Sequence, residues 1–112
     1  PRIVETQLSG AAIMQLGFSL FEKMQFDERG QLRNASFAEY KIPGLLDLPG
    51  EIVNEAVVAE QRSGPFGAKG VGETGTFGVS PAIANAIDDA VGVRLTSLPM
   101  NPEAVFMALV KK

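Results

Sequence analysis

Residues 8–24, LSGAAIMQLGFSLFEKM, place Ile13, Leu16, Leu20 and Met24 at helical spacing with Phe21 alongside. That spacing predicts a helix with one apolar face. Gly10 and Gly17 lie seven apart, on a single face of it. Each costs about 1 kcal/mol relative to alanine in a helix interior, so the pair points to close approach of a neighbouring helix or a ligand. Ordinary helix packing is the commoner cause. The pattern changes after Met24. Gln25-Phe26 and Gln31-Leu32 flank Asp27-Glu28-Arg29-Gly30, a hairpin turn with glycine last. Phe37 to Ile42 alternates and stops at Pro43, and Pro43-Gly44 with Pro49-Gly50 marks a loop. Residues 51–60, EIVNEAVVAE, predict a strand centred on Val57-Val58, with a helix as the alternative because Glu and Ala favour one.

A glycine-rich segment, 64–78, comes next. Ser80-Pro81 then reads as N-cap and first turn of a second helix. Ile83, Ile87 and Val91, with Ala84 and Ala90, form its apolar face, and Gly92 ends it. Val93 to Thr96 predicts a short strand. Asn101-Pro102 repeats the cap-then-proline signal before a last helix with Val105, Phe106, Leu109 and Val110 on one face. Lys111-Lys112 suits the negative end of its dipole. The expected fold is α+β, three helices packed on a small, mostly antiparallel sheet, in one unit over 1–112.

Composition narrows the chemistry. The chain of 112 residues has no cysteine and no histidine. That removes thiol chemistry and disulfides, together with the commonest metal ligand and the commonest general acid–base. Proton chemistry near neutral pH is left to a carboxylate, a lysine or the single tyrosine, Tyr40. Ten basic and thirteen acidic residues give a net charge of -3 without a basic stripe, which argues against a nucleic-acid partner. No apolar run reaches membrane-spanning length, so no membrane partner is expected. The opening Pro1-Arg2-Ile3-Val4 reads like a chain cut from something larger, or like a processed terminus.

Residues 67–75, GAKGVGETG, hold four glycines around one acid, Glu73. Gly70 to Gly75 fits G-x-G-x-x-G, with Asp88 and Asp89 near the distance of a ribose-binding acid. The context is wrong for a dinucleotide site. Gln61 to Lys69 separates the glycines from the preceding strand, Asp88 and Asp89 fall inside a helical pattern, and Glu73 would face a pyrophosphate. A P-loop fails because Gly70 follows Lys69. Glu73 is instead either an ordinary exposed loop glutamate or a base. Apolar neighbours such as Val71 and Phe77 would strip its solvation and raise its proton affinity.

The segment Ala68-Lys69-Gly70-Val71-Gly72-Glu73 and the following helix Pro81-Ala82-Ile83-Ala84-Asn85-Ala86-Ile87 resemble the C-terminal part of the molybdenum hydroxylase large subunit. This is the family of xanthine dehydrogenases and aldehyde oxidases. Gln7-Leu8-Ser9-Gly10-Ala11, Gln15-Leu16-Gly17 and Tyr40-Lys41-Ile42-Pro43 resemble further motifs of that family in the same order, so the likeness covers essentially the whole chain. It implies a C-terminal fragment of a larger molybdopterin-binding domain. It implies Glu73 as the base that takes a proton from a hydroxyl on molybdenum, Gln7 as a pterin contact, and Gly70, Val71 and Gly72 as backbone against the cofactor. No residue of this chain is expected to ligate a metal, and Lys69 is given no chemistry. Iron–sulfur clusters and FAD are implied on other domains or subunits, with the remainder of the molybdenum-binding subunit and a small-molecule substrate (an aldehyde or N-heterocycle) as further partners. A homo-oligomer and a cytoplasmic location are expected. Thr74 departs from the family, many members of which carry proline there, and the rest of the molybdenum pocket lies upstream in longer relatives. The isolated chain is therefore expected to be inactive. A non-catalytic binding or assembly module reusing the fold is the alternative.

Overall fold

Three helices, α1 (Arg2–Leu20), α2 (Val79–Val91) and α3 (Pro102–Val110), carry the regular structure of the computed structural model, which describes residues 2–111. Two single 3-10 turns, Leu45–Asp47 and Pro65–Gly67, punctuate the segment between α1 and α2. Among the described residues no β-strand forms, so the expected α+β arrangement of helices on a mostly antiparallel sheet is corrected to helices joined by irregular chain.

Each expected strand fails for a local reason. The turn at Asp27 to Gly30 does form: Gly30 N donates to Asp27 O at 3.0 Å, and Asp27 Oδ1 accepts from Arg29 N at 2.9 Å and Gln31 N at 2.8 Å. Its flanks make one antiparallel bridge, Phe26 to Leu32. They cannot extend further, because the buried Asn34 side chain takes the next backbone partners. It accepts from Gln25 N at 2.9 Å and donates to Lys23 O at 2.7 Å. Residues 37–39 curl into a turn, with Glu39 N and Tyr40 N both donating to Ser36 O. Residues 51–60 are neither strand nor helix; they run without a ladder, leaving Val57 87% and Val58 96% exposed. β-branched residues favour an extended chain but do not supply the neighbouring edge that makes a strand. Val93 is buried within an irregular stretch.

The helix signals fare better. α3 starts at Asn101, whose side chain accepts from Ala104 N at 2.9 Å, with Pro102 in the first turn. α2 ends at Gly92, left-handed at φ 66. Its start is corrected: Gly78, not Ser80, is the N-cap. Ser80 is the second residue of the helix and meets α1, where Gln15 Nε2 donates to its hydroxyl and Ser19 Oγ lies 2.6 Å away. Ser19 already donates to Gln15 O at 2.6 Å, so Ser80 is the donor between the two hydroxyls. Met100 N donates to Ser19 O at 2.6 Å, which brings the entry to α3 onto the same point. α1 begins before residue 8 and stops at Leu20, where Phe21 N and Glu22 N share the Gly17 carbonyl.

Gly17 is buried, and a Cβ on it would strike Glu22 Oε1 and lie 3.0 Å from Pro43 Cδ. Its close neighbour is thus the chain's own Tyr40–Pro43 turn. Tyr40 OH donates to Glu22 Oε2 at 2.7 Å. That bond, then loss of solvation, then the nearby Glu22 charge hold the phenol above its usual range. Gly10, on the same face, is exposed with nothing within 4 Å of such a Cβ.

Little of this is sealed from water. Among the described residues the buried apolar side chains are few, Ala11, Val93, Pro99 and Met100. The accessible surface is 8799 Å², against roughly 5,900 Å² for a compact protein of this mass. The Cα radius of gyration is 17.5 Å, against about 13 Å for a compact domain of this length. An open apolar groove of ≈ 610 Å³ runs between the end of α1, α2 and α3, lined by Leu20, Phe21, Ile83, Ile87, Val105 and Leu109 among others.

Candidate functional site: a glycine loop seated on helix α1

The chain enters the glycine loop through the Pro65–Gly67 turn, where Phe66 and Gly67 are both left-handed, at φ 54 and φ 73. Lys69 Nζ then donates to Ala59 O at 2.7 Å, tying the loop to the extended segment. Two hydroxyls brace the loop from within. Thr74 Oγ1 donates to Val71 O at 3.0 Å, and Thr76 Oγ1 donates to Glu73 O at 2.8 Å. Thr76 N adds a bond to the same carbonyl at 3.1 Å. At position 74 a side-chain hydrogen bond thus does the bracing that a proline ring does by fixing φ.

The loop meets α1 at Gly75. A Cβ there would lie 3.0 Å from Ala11 Cβ and 3.1 Å from Leu8 O. Leu8 follows Gln7, whose side chain is exposed on α1. At the next residue, Asn54 Nδ2 donates to Ser9 Oγ at 2.6 Å, docking the 51–60 segment on the same helix. The structure therefore brings the Glu73 loop and the Gln7 turn together through Gly75 and Leu8. The sequence does not mark Gly75, Thr76, Ser9 or Asn54 as the residues that make these contacts. A glycine within a glycine run carries no mark of which one touches a helix.

Gly70 and Gly72 differ from Gly75: a Cβ on either meets nothing within 4 Å. Their main chain is open to close approach by another body, and Val71 between them is half-buried. The Glu73 carboxylate is exposed and makes no hydrogen bond or ion pair among the described residues. The apolar shield expected from its neighbours is not there, since Phe77 is 76% exposed. Asp88 and Asp89, the acids of the rejected dinucleotide reading, lie within α2, and Asp88 pairs with Arg94, which also donates to Asn85 Oδ1 at 2.9 Å. Among the described residues no group of three acidic, histidine or cysteine side chains gathers as a metal site. No helix among them is long and apolar enough to cross a membrane.

Residues 1–49 match the model of the molybdopterin cofactor-binding domain. The gamma subunit of the 6-hydroxypseudooxynicotine dehydrogenase complex of Paenarthrobacter nicotinovorans is 38% identical over 108 residues, 95% of this chain and 14% of that protein. The molybdenum-binding subunit of an aldehyde oxidoreductase of Escherichia coli K12 is 39% identical over 101 residues, 89% of this chain and 14% of that subunit. Among solved structures, quinoline 2-oxidoreductase from Pseudomonas putida 86 superposes with a TM-score of 0.89 at 30% identity, over 100% of this chain and 14% of that one. The chain belongs, as a segment of a molybdopterin-binding domain, to the family of molybdenum-binding subunits that includes xanthine dehydrogenases and aldehyde oxidoreductases. It spans about a seventh of the length of these relatives.

Proposed function

We propose that this segment supplies the base and part of the cofactor cradle of a molybdopterin-dependent hydroxylase, which oxidises an aldehyde or an N-heterocycle with water as the oxygen source. The observation that carries the reading is the seating of the loop. Open main chain at Gly70 and Gly72 and an unpartnered Glu73 carboxylate are fixed against the turn of α1 that presents Gln7. These residues fit the cofactor. The Gln7 amide can both donate to and accept from a pterin edge, and glycine main chain admits a large planar group that side chains would exclude. When bound, the molybdenum cofactor supplies the two-electron redox chemistry. With the cofactor bound, Glu73 would accept a proton from a water-derived hydroxyl, and Gly70, Val71 and Gly72 would hold the carboxylate in place. The remainder of the subunit covers the loop and excludes water from the reacting groups. Iron–sulfur and flavin domains or subunits carry the electrons away.

The test is Glu73→Gln in the whole protein, followed by rapid-reaction substrate reduction normalised to bound molybdenum. Positioned acid–base catalysis contributes about 10²–10⁴-fold, and a base that generates the nucleophile belongs at the upper end. Cofactor content should stay unchanged. Gln7→Ala should do the reverse, lowering occupancy more than the rate per bound molybdenum. A Glu73→Gln protein that keeps more than about a tenth of the wild-type rate lies outside that range and returns Glu73 to an ordinary loop glutamate.

A further inference from the structure

Gly75 is the contact through which the loop carrying Glu73 rests on the helix carrying Gln7. A Cβ on it would lie 3.0 Å from Ala11 Cβ, 3.1 Å from Leu8 O and 3.4 Å from Leu8 Cα. Carbon atoms pack best at about 3.5–4.0 Å, so a methyl group is admitted only if the loop or the helix gives by a few tenths of an ångström. Two of the three obstructing atoms belong to the main chain of Leu8, and Ala11 is 3% exposed with no rotatable side chain. The helix cannot yield by turning a rotamer. Gly75 is not among the glycines in the left-handed region, which are Gly30, Gly67 and Gly92. Position 75 needs glycine for space and not for its backbone angles. Gly70, Gly72 and Gly78, in the same loop, have nothing within 4 Å of a Cβ. The link from Gly75 back to Glu73 is short and braced, because Thr76 holds the Glu73 carbonyl through both its N–H and its hydroxyl.

We propose that Gly75 is a positioning residue: its missing side chain sets the distance between Glu73 and the Gln7 turn of α1. The inference rests on the reading of Glu73 as the base. Any side chain at position 75 lifts the loop from the helix, and Glu73 moves with it. Misplacing a reacting group by about 1 Å costs on the order of 10²-fold in rate. A methyl group that displaces the loop by part of that distance should cost about tenfold.

The experiment compares Gly75→Ala, Gly75→Ala with Ala11→Gly, and Glu73→Gln in the whole, cofactor-loaded protein. Two quantities are read: the substrate-reduction rate per bound molybdenum, and backbone hydrogen exchange of the peptide spanning 68–78. Gly75→Ala should lower the rate about tenfold and accelerate exchange. Ala11→Gly removes the nearest obstructing methyl, so the double variant should recover exchange protection and part of the rate. Recovery stays partial because Leu8 O remains 3.1 Å away. Wild-type exchange and rate in Gly75→Ala overturn the proposal. So does a loss that Ala11→Gly leaves untouched in both readouts. If Gly75→Ala does not accumulate, Ala11→Ser presses on the same contact from the helix side, and wild-type behaviour there overturns the proposal equally. Glu73→Gln separates the two claims. A retained rate in that variant defeats the base, while the exchange measurements still decide whether Gly75 seats the loop.

Discussion

Expressed alone, the 112-residue chain should not behave as a cooperative domain. A fully unfolded chain of 11.9 kDa exposes roughly 17,000 Å². The folded conformation still exposes 8799 Å², so folding buries about half, whereas a marginal domain of about 60 residues already buries about 60%. The surface left open is apolar in large part, with Leu46 at 99%, Val58 at 96% and Leu45 at 86% exposure. The relative that superposes at a TM-score of 0.89 holds this conformation within a chain about seven times longer. The expected result is a self-associating species that binds a hydrophobic dye, keeps some helix by circular dichroism, and loses it in urea without a sharp transition. Small-angle scattering gives an independent reading. A compact monomer would show a radius near 13 Å and an unfolded one near 34 Å, to order of magnitude. A dye-silent monomer near the compact value, with one cooperative urea transition, would refute the reasoning.

Tyr40 is the only tyrosine and there is no tryptophan, so absorbance of the tyrosinate band reads its titration directly. Its pKa is raised by the bond to Glu22, so the contact stabilises the fold below the ordinary tyrosine pKa, near 10. That stabilisation is lost as pH rises through the higher folded value, and Tyr40→Phe should flatten the loss. Gly17→Ala drives the Glu22 carboxylate from its place and should lower the Tyr40 titration toward its ordinary position; an unmoved titration would show that the turn adapts by another route. Asn101→Ala should cost about 1 kcal/mol at the start of α3, read as faster hydrogen exchange confined to the first turn of that helix in the whole protein.

Helices were legible where a local group ends or begins them. Asn101 caps α3 with its own side chain and Gly92 closes α2, and both effects act within four residues. Ser80 misled because the same hydroxyl that can cap a helix here bonds across to Ser19, a partner 61 positions away. The strand readings at 37–42, 51–60 and 93–96 captured apolar alternation and β-branching, which describe how a segment prefers to extend. A ladder also needs a neighbour, and among the described residues none of these three segments has one. At the candidate site, the composition of the loop around Glu73 was visible, as was Gln7 through its motif. The joint between them at Gly75 and Leu8 was not, because it is a matter of ångströms between main chains and leaves no pattern in either segment.

The α1–α2 junction has a kinetic side. Gln15 reaches Ser80 across 65 positions, and closing a loop of that length costs entropy before any contact is gained. α1 emerges from the ribosome first and must wait, with Gln7 already displayed, until the glycine loop and α2 have been made. In the folded conformation Ser80 and Gly75 both rest on α1. A substitution that slows this docking would leave the finished geometry intact and show itself in the yield of loaded protein, through the time the open chain spends exposed before its cofactor can be held.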